Sequence, residues 1–287
     1  MKKIEVVRSP KVMTALAKEC LQEGLTIGFV PTMGAFHKGH LSLVKRSTAE
    51  NDVSVVSIFV NPAQFGPSED FKRYPRDLEG DLEKLRELKV DTVFSPEPED
   101  LYPGGYLTYV NVEGLSEGLC GTFRPGHFRG VATIVTKLFN IVLPTRAYFG
   151  QKDYQQARIL QTMASDLNMD IDVIVCPIVR EEDGLAMSSR NAYMDEEERR
   201  AATIIYRALT KISNMLAHGE LPVSRSSDGL RNILLSEPLV DDIQYASAYD
   251  PETLEELKQD DCTGEVLLAV ALKIGRTRLI DNMIVKI

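Results

Sequence analysis

The sequence predicts a doubly wound (Rossmann-like) α/β domain with a parallel sheet, followed by a smaller α+β C-terminal domain. Short apolar runs such as Ile27–Val30 and Val53–Val60 alternate with segments of helical period, a pattern typical of strands joined by helices. Crossover connections of this kind are right-handed and make the strands parallel. After the apolar run Ile171–Val179 the order changes to helices and then strand-like runs, which indicates a separate α+β unit.

The first domain is predicted to begin with a helix over Pro10–Glu23, which Gly24 ends. Pro31 is expected to stop the strand Ile27–Val30. The helix Phe128–Val142 has the clearest buried face, because its apolar residues recur at spacings of three and four. The other predicted elements are strands Val53–Val60, Val90–Phe94, Arg146–Phe149 and Ile171–Val179, and helices Asp77–Leu88 and Tyr154–Leu167.

The boundary between the domains is predicted in the polar segment 180–191. This segment contains Gly184 and has no apolar period, which favours a hinge or mobile loop. We therefore assign residues 1–180 to the first domain and 181–287 to the second. The second domain is predicted to contain helices at 195–217 and 224–235, strands at 243–248, 266–274 and 277–285, and a hairpin turn at Gly275–Arg276.

Composition limits the possible functions. With 287 residues, 44% of them hydrophobic and 26% charged, the chain resembles a globular protein with a full core. A formal net charge of -9 argues against a surface that binds nucleic acid. The four cysteines form no CxxC pair, so the sequence suggests neither a zinc site nor disulfides. Glu5 interrupts the basic start and the apolar run Val266–Leu272 is too short to span a bilayer, so we expect a cytoplasmic protein without a membrane partner.

The segment Thr26–Leu43 is the most informative part of the sequence, because an apolar strand leads through a turn into a helix that opens with His37 and His40. Because the two histidines are three residues apart, their imidazoles lie on one face of the helix beside its N-terminus. The unpaired backbone N–H groups and the helix dipole at that end favour the binding of phosphate oxygens. Two ordinary surface histidines are the alternative, but Gly34 and Gly39 permit close backbone approach and favour a nucleoside triphosphate site. The arrangement resembles the HxGH signature of the nucleotidylyltransferase superfamily, and no Walker A or GxGxxG motif competes with it.

A second polar cluster follows the strand Val53–Val60, at the end of a strand where ligands bind in open α/β sheets. Asn61 and Gln64 donate and accept hydrogen bonds without charge, which suits the carboxylate and hydroxyls of a small polar substrate better than a second phosphate. The alternative is a solvated loop with an Asn-Pro turn. Residues 66–73, with a glycine, a proline and a charged run, predict a mobile lid.

A third cluster, Cys120–His127, leads into the predicted buried helix. Arg124 and His127 either contact a substrate anion or form a turn whose side chains cap that helix. Spacing alone leaves both interpretations open.

Further phosphate-binding groups are predicted after the strand Arg146–Phe149 and in the polar loop. Gly150 lets a ligand approach the backbone, Lys152 offers a point charge, and Asp153 either caps a helix or holds a ribose hydroxyl. In Met187–Arg190, two hydroxyls and a guanidinium could clamp a polyphosphate as it becomes pyrophosphate. The alternative for Met187–Arg190 is a flexible polar linker without a binding role.

Long motifs follow one another between residues 26 and 191, reading PTMGAFHKGHL, FVNPAQF, CGTFRPGHFRGV, KLFNIV, AYFGQKDYQQ and VREEDGLAMSSRN. In this order they closely resemble the pantothenate synthetase family, the ATP-dependent ligases of pantoate and β-alanine. Phe36, Ala63 and Thr145 stand where the family commonly has leucine, threonine and aspartate, and none of these departures removes a chemical group that the reaction needs.

The resemblance implies a two-step reaction in which pantoate attacks the α-phosphate of ATP and β-alanine then opens the pantoyl adenylate. It implies Mg²⁺ carried by the phosphates, with the metal ligands unknown, and a homodimer. Catalytic roles fall on His40, His37 and Lys152, while Gln64, Gln156 and Asn61 would bind pantoate and β-alanine. The implied ATP-binding residues are Met33, Gly34, Ala35, Phe36, His37, Lys38, Gly39, His40, Gly150, Gln151, Lys152, Asp153, Val179, Met187, Ser188, Ser189 and Arg190.

Two other functions are weighed against this one. A different adenylyl or cytidylyl transferase would usually meet its phosphate acceptor with arginine or lysine, whereas Asn61, Gln64 and Gln156 are uncharged. A non-catalytic nucleotide-binding protein would not need the histidines together with Lys152 and the MSSR sequence. Nucleotide binding without pyrophosphate release would favour it.

Overall fold

The computed structural model of the chain describes residues 4–67, 69–260 and 262–287; Ser68 of the predicted lid and residues 1–3 of the basic start lie outside this range. The chain divides into two compact units. The sequence-based boundary at residue 180 stays a prediction, and it lies near Ile178, where the longest segment of the second unit begins. The first unit comprises the described residues of Met1–Ser116, Arg124–Gly150 and Gln156–Pro177, and the second those of Glu117–Phe123, Gln151–Gln155 and Ile178–Ile287.

The first unit is built on a six-stranded parallel sheet. Its strands are β1 (Glu5–Val7), β2 (Ile27–Thr32), β3 (Val53–Ile58), β4 (Thr92–Phe94), β5 (Arg146–Gly150) and β6 (Asp172–Cys176). Their order in the sheet is β1-β4-β3-β2-β5-β6. The chain therefore moves outward from β2 to one side, then returns and continues from β5 on the other side. This reversal between β2 and β5 is the topological switch point of a doubly wound sheet, and it confirms the predicted fold class.

Helices cover both faces of this sheet, and the alternation of side chains along the strands separates two cores. Phe29 of β2 lies in one core, with α1, α6 and α7, while its neighbour Val30 lies in the other, with α2 and α3. The helices of the chain up to Asp166 are α1 (Pro10–Gln22), α2 (Lys38–Glu50), α3 (Leu78–Glu87), α4 (Pro98–Leu101), α5 (Cys120–Phe123), α6 (His127–Val142) and α7 (Tyr154–Asp166).

The expectation that Pro31 stops the strand is wrong, because β2 continues to Thr32. The Thr32 carbonyl accepts the N–H of Phe59, so even-numbered residues of β2 face β3 and Pro31 faces the β5 side. Pairing between β2 and β5 involves only Gly28 and Phe29. Pro31 has no backbone N–H, but at its position no hydrogen bond to β5 requires one, so the strand continues through the proline.

The second unit contains a three-stranded antiparallel sheet against helices. The hairpin prediction at Gly275–Arg276 is confirmed by the pairing of Ile274 with Thr277. The predicted helix at 195–217 is wrong in one respect, since it breaks near Thr203, whose hydroxyl donates to the Arg200 carbonyl over 2.8 Å. The elements are α8 (Glu196–Ala201), α9 (Ile204–Ala217), α10 (Ser226–Leu234), β7 (Val240–Tyr249), β8 (Glu265–Ile274) and β9 (Thr277–Lys286).

The polar segment 180–191 is more structured than its sequence pattern suggests. Leu185 is buried in the core of the second unit, and Arg180 pairs with Ala186 as an antiparallel bridge. One apolar side chain at the tip of a polar loop is too little to create a periodic signal, so sequence reasoning could not detect this anchor.

Among the residues that the structure describes, none of the helices has the length and apolar character needed to cross a membrane. The four cysteines are present as thiols. Within the same part of the chain no group of three or more His, Cys, Asp or Glu side chains is placed to hold a metal ion. The cellular location stays a prediction.

Candidate active site

Three of the predicted motifs begin where adjacent parallel strands end. The HxGH turn follows β2, the Asn61 turn follows β3, and Gly150 ends β5. Since β3, β2 and β5 are neighbours in the sheet, these three chain segments leave the same edge at the switch point. Ligands of open α/β sheets bind at this location.

A buried carboxylate holds the turn between β2 and α2. Asp81 of α3 accepts the N–H of Ala35 over 2.7 Å and that of Phe36 over 2.8 Å, one with each oxygen. Gly34 and Ala35 both have positive φ, and a Cβ at Gly34 would lie 2.9 Å from an Asp81 oxygen. The turn therefore needs glycine at position 34 and an acceptor with two oxygens at position 81.

Asp81→Asn is expected to lower turnover by about tenfold or more, because an amide NH₂ group replaces one of the two carboxylate oxygens and cannot accept the backbone N–H bound there, and small displacements of a site are costly. Steady-state kinetics beside a thermal unfolding curve would measure this. Asp77→Asn is the matched control, since Asp77 caps the same helix through the Gly80 N–H and asparagine caps equally well. Wild-type kinetics in Asp81→Asn would show that the carboxylate does not set the turn.

The two histidines of the HxGH motif lie against each other. His37 precedes α2 as its N-cap, and its ring stacks on that of His40 with centroids 4.0 Å apart. His37 Nδ1 accepts the Gly39 N–H over 3.1 Å, so the proton of the neutral ring lies on Nε2. Phe36 packs its ring edge-on to His40 with centroids 5.7 Å apart. The predicted pairing of the imidazoles at the helix start is thus present, with His37 one position before the helix body.

The Asn61 turn reaches the turn after β2 through Gln64, whose Nε2 donates to Met33 Sδ over 3.1 Å. Asn61 is 1% exposed, and its hydrogen bonds are all internal. Its Oδ1 accepts from the Ala63 N–H and the Tyr102 hydroxyl, while its Nδ2 donates to Gln64 Oε1 and the Gly130 carbonyl. These four bonds use the whole capacity of the amide. Asn61 therefore orients Gln64.

Helix α6 packs directly on the Asn61 turn. A Cβ added at Gly130 would lie 2.2 Å from the Ala63 carbonyl oxygen and 2.7 Å from the Gln64 nitrogen. Both are backbone atoms that cannot move aside cheaply. Position 130 must stay a glycine for Gln64 to keep its place.

Arg124 and His127 connect this turn to the predicted lid. Arg124 binds Glu69 with two bonds, of 2.6 and 2.8 Å, and donates to His127 Nε2 over 2.8 Å. His127 Nδ1 lies 2.8 Å from the Gln64 carbonyl, so it carries the ring proton and Nε2 is the acceptor. The predicted capping of α6 by these side chains is wrong, because its N-cap is Gly126 and none of the described side chains caps it; Arg124 and His127 instead hold Glu69 and the Gln64 turn. Contact with a substrate anion stays a prediction.

The ion pair makes acid stability depend on Glu69. Burial alone would raise the pKa of Glu69, but hydrogen bonding to Arg124 and its charge outweigh burial and lower the pKa from 4.5 to about 2. Because the pKa of Glu69 is lower in the folded state than in the unfolded state, ionised Glu69 adds to the free energy of unfolding. This contribution is complete at pH values above the unfolded-state pKa and is lost as the pH falls through the folded-state pKa. The loss therefore occurs between about pH 4.5 and pH 2.

Glu69→Gln is expected to lower the thermal unfolding midpoint at neutral pH and to flatten its dependence on pH between about 4.5 and 2. Unfolding curves across this range would measure the difference from the wild type. Glu113→Gln serves as the control, because Glu113 is exposed and forms no ion pair among the described residues. Parallel wild-type and Glu69→Gln profiles would contradict the role of the pair.

The residues predicted to bind phosphate near Gly150, and Gln156, which is predicted to bind pantoate, fall in different units. Gly150 and Gln156 belong to the first unit, while Lys152 lies in a 3₁₀ turn that belongs to the second. A Cβ at Gly150 would meet no heavy atom of the described residues within 4 Å, which is the open space that backbone approach by a ligand requires. Gln156 is half-buried and makes no side-chain hydrogen bond among the described residues. Lys152 makes no ion pair within the same part of the chain.

The loop 179–190 is a short antiparallel hairpin followed by a turn. The Val179 carbonyl accepts the N–H of Met187 over 3.0 Å, and Glu181 donates to the Leu185 carbonyl over 2.8 Å. Ser188 then caps the 3₁₀ turn Ser189–Tyr193 through the Arg190 N–H. Val179 and Met187–Arg190, which are predicted to bind ATP, thus lie in one continuous segment of the second unit.

Comparison with known proteins identifies the group to which this architecture and motif set belong. The family model described as pantoate-beta-alanine ligase matches residues 5–284. The chain belongs to the pantoate-beta-alanine ligase family. This confirms the resemblance stated from the motifs, and it makes the chain a ligase.

Relatives in this family match the chain over almost its whole length. A pantothenate synthetase of Thermodesulfovibrio yellowstonii is 59% identical over 99% of this chain and 100% of its own. The crystal structure of a pantothenate synthetase from Thermus thermophilus matches with a TM-score of 0.91 and 43% identity, covering 98% of this chain and 99% of that one. A Francisella tularensis pantoate-beta-alanine ligase, complexed with beta-gamma ATP and beta-alanine, matches with a TM-score of 0.81 and 34% identity over 98% and 97% of the chains.

Proposed function

We propose that this chain condenses pantoate with β-alanine to pantothenate, through a pantoyl adenylate, and releases AMP and pyrophosphate. The observation that carries the proposal is the contact between Gln64 and Met33. It places an uncharged amide next to a histidine-bearing helix start, so that a group suited to a carboxylate lies beside groups suited to phosphate. Family membership and the ATP and β-alanine bound by the Francisella relative support the same reaction.

In the first step a carboxylate oxygen of pantoate attacks the α-phosphorus of ATP, and the bond from that phosphorus to the leaving pyrophosphate breaks. Negative charge on the α-phosphoryl oxygens must be stabilised as this happens. We assign this role to His40, His37 and Lys152, with Nε2–H as the donor of His37. In the second step the β-alanine nitrogen attacks the acyl carbon, the amide bond forms, and AMP leaves with one oxygen of the original carboxylate. The protein supplies position and charge, and no side chain becomes covalently attached.

ATP is proposed to bind through three groups of residues. Backbone and side chains of Met33, Gly34, Ala35, Phe36, His37, Lys38, Gly39 and His40 form the first group. The second is the turn Gly150, Gln151, Lys152 and Asp153, and the third is Val179 with Met187, Ser188, Ser189 and Arg190. Gly150 is suited to this role because no described residue occupies the space where its Cβ would lie.

Pantoate is proposed to bind to Gln64 and Gln156, and β-alanine also to Gln64. Asn61 receives a different role from the one that its sequence position suggests. Because its amide is fully bonded inside the protein, we propose that it acts through Gln64. Tyr102 contributes by fixing Asn61 Oδ1.

Mg²⁺ is proposed to enter with the phosphates of ATP. The described residues contain no cluster of three or more acidic, histidine or cysteine side chains that could cage an ion. We propose that the cation is held chiefly by phosphate oxygens and water, which is how Mg²⁺ commonly binds at nucleotide sites. The ion would neutralise part of the phosphate charge.

A homodimer is proposed on the family resemblance, and the cytoplasmic location stays a prediction from the sequence. Light scattering of the purified chain would report the oligomeric state directly. A mass of one chain, 32.0 kDa, at micromolar concentration would exclude the dimer.

The reaction is tested by incubating the purified protein with MgATP and pantoate, with and without β-alanine, and measuring AMP and pyrophosphate. Sustained AMP release that requires β-alanine is the expected result. Binding of ATP with no release in either mixture would identify a nucleotide-binding protein without turnover. Pyrophosphate release with a phosphate ester in place of pantoate would identify a different nucleotidyl transferase.

A further inference from the structure

Two adjacent residues of β9, Asp281 and Asn282, are both buried, each 3% exposed. Polar side chains in a strand interior usually face solvent unless they satisfy a specific partner. Both partners here lie in segments to which the proposed function assigns ATP binding. All of these residues belong to the second unit.

Asn282 binds the backbone of the turn that carries Lys152. Its Nδ2 donates to the Gln151 carbonyl over 2.9 Å and to the Lys152 carbonyl over 3.0 Å, while its Oδ1 accepts from Gln151 Nε2 over 3.3 Å. One amide group thus holds two successive carbonyls of a turn that is only three residues long. Since the carbonyl and Cα of Lys152 belong to one residue, these bonds fix where its side chain starts.

Asp281 binds the base of the loop 179–190. Its two oxygens accept from the Arg180 guanidinium over 2.6 and 3.0 Å. Arg180 also donates to the Gly184 carbonyl over 3.0 Å and packs its guanidinium on the Tyr206 ring, 4.5 Å from the centroid. A bidentate guanidinium–carboxylate pair has a fixed geometry, so the hairpin that leads to Arg190 is held in one orientation.

We propose that Asp281 and Asn282 are positioning residues that fix the Lys152 turn and the 179–190 loop to one point on β9. The inference rests on the proposed function, because it assumes that both segments bind ATP. The two residues contact no substrate themselves. Adjacent residues on a strand are about 3.3 Å apart along its axis, so both segments are held by neighbouring positions of one strand.

Asn282→Ala is the direct test. We expect the KM for ATP to rise about tenfold or more, because loss of the clamp lets the Lys152 turn move, while the KM for β-alanine changes little. Thr277→Val is the matched control: Thr277 is also buried on β9, 5% exposed, and no side-chain hydrogen bond among the described residues joins it to either segment. Asn282→Ser is made in parallel, and whichever Asn282 variant has an unfolding midpoint nearer to that of Thr277→Val is used for the comparison.

A double-mutant cycle separates positioning from general destabilisation. If Asn282 acts through Lys152, then Lys152→Ala/Asn282→Ala should use ATP no worse than Lys152→Ala alone. A second cycle combines Asp281→Asn with Arg190→Ala: if Asp281 acts through Arg190, the double variant should use ATP no worse than Arg190→Ala alone. Independent structural damage would instead multiply the two single effects.

The outcomes distinguish this inference from the function on which it rests. A wild-type protein without β-alanine-dependent AMP release would overturn the proposed function before any variant is compared. An active wild type whose Asn282 variant has the ATP KM of Thr277→Val, or whose cycle is multiplicative, would overturn the positioning role alone. A raised ATP KM with a non-additive cycle supports it.

Discussion

Replacement of His40 by alanine is expected to lower kcat by about 100-fold while the thermal unfolding midpoint changes little. Removal of one donor that is aimed at charge developing in a transition state commonly has an effect of this size. His40 lies in the first turn of α2, where it is half-buried and stacked on His37. Its loss should therefore affect chemistry far more than folding.

His218→Ala provides the matched control for this experiment. His218 is an exposed histidine that ends α9, with Nδ1 2.7 Å from the Asn214 carbonyl. Steady-state kinetics with saturating ATP, pantoate and β-alanine would give kcat for both variants. Wild-type kcat in a folded His40→Ala protein would refute the catalytic assignment.

Lys152→Ala is expected to lower kcat/KM for ATP by about 100-fold, because an ammonium group that stabilises phosphate charge has no replacement in the turn. Lys152 forms no ion pair among the described residues, so its charge is not committed to a carboxylate of the protein. The Lys152 ammonium also interacts electrostatically with Asp281. Burial raises the pKa of the Asp281 carboxyl overall, and the positive charge of Lys152 is one of the smaller effects that lower this pKa.

The control for this variant is Lys211→Ala, which removes an exposed lysine from α9. Initial rates at varied ATP concentration, with pantoate and β-alanine fixed, would separate KM from kcat. Equal kcat/KM values in the two variants would show that Lys152 does not hold the nucleotide.

The parts of this molecule that local sequence determines were predictable. The parallel sheet follows from apolar runs alternating with amphipathic helices, and the histidine pair follows from its spacing after β2. Each strand–helix unit of the sheet and the histidine pair depend on about one strand and one helix of contiguous sequence. Over that length, the hydrophobic period and the turn residues predict the local structure.

The residues that hold the site could not be predicted in this way. Asp81 is one of several acidic residues in a charged helix, and only the fold brings it to the turn at Ala35. Asn282 looks like any polar residue in a strand until its bonds to the Lys152 turn are seen. Such contacts join positions far apart in the chain, and neither the residue type nor the hydrophobic period of the local sequence predicts them.

Local rules also gave a wrong answer at Pro31, because the consequence of a missing N–H depends on the neighbouring strand. The β5 partner of β2 ends its pairing before that position, so the proline does no harm. At Asn61 the residue type suggested a ligand contact, whereas the long-range bond from Tyr102 completes an internal network. In both cases the missing information was tertiary.

The most direct test of the proposed mechanism follows the carboxylate oxygen. Pantoate labelled with ¹⁸O in its carboxylate is incubated with MgATP, β-alanine and the protein, and the AMP is analysed by mass spectrometry. A pantoyl adenylate predicts one ¹⁸O atom in each AMP formed, because the bridging oxygen leaves with the phosphate. AMP without label, or ADP as the nucleotide product, would contradict it.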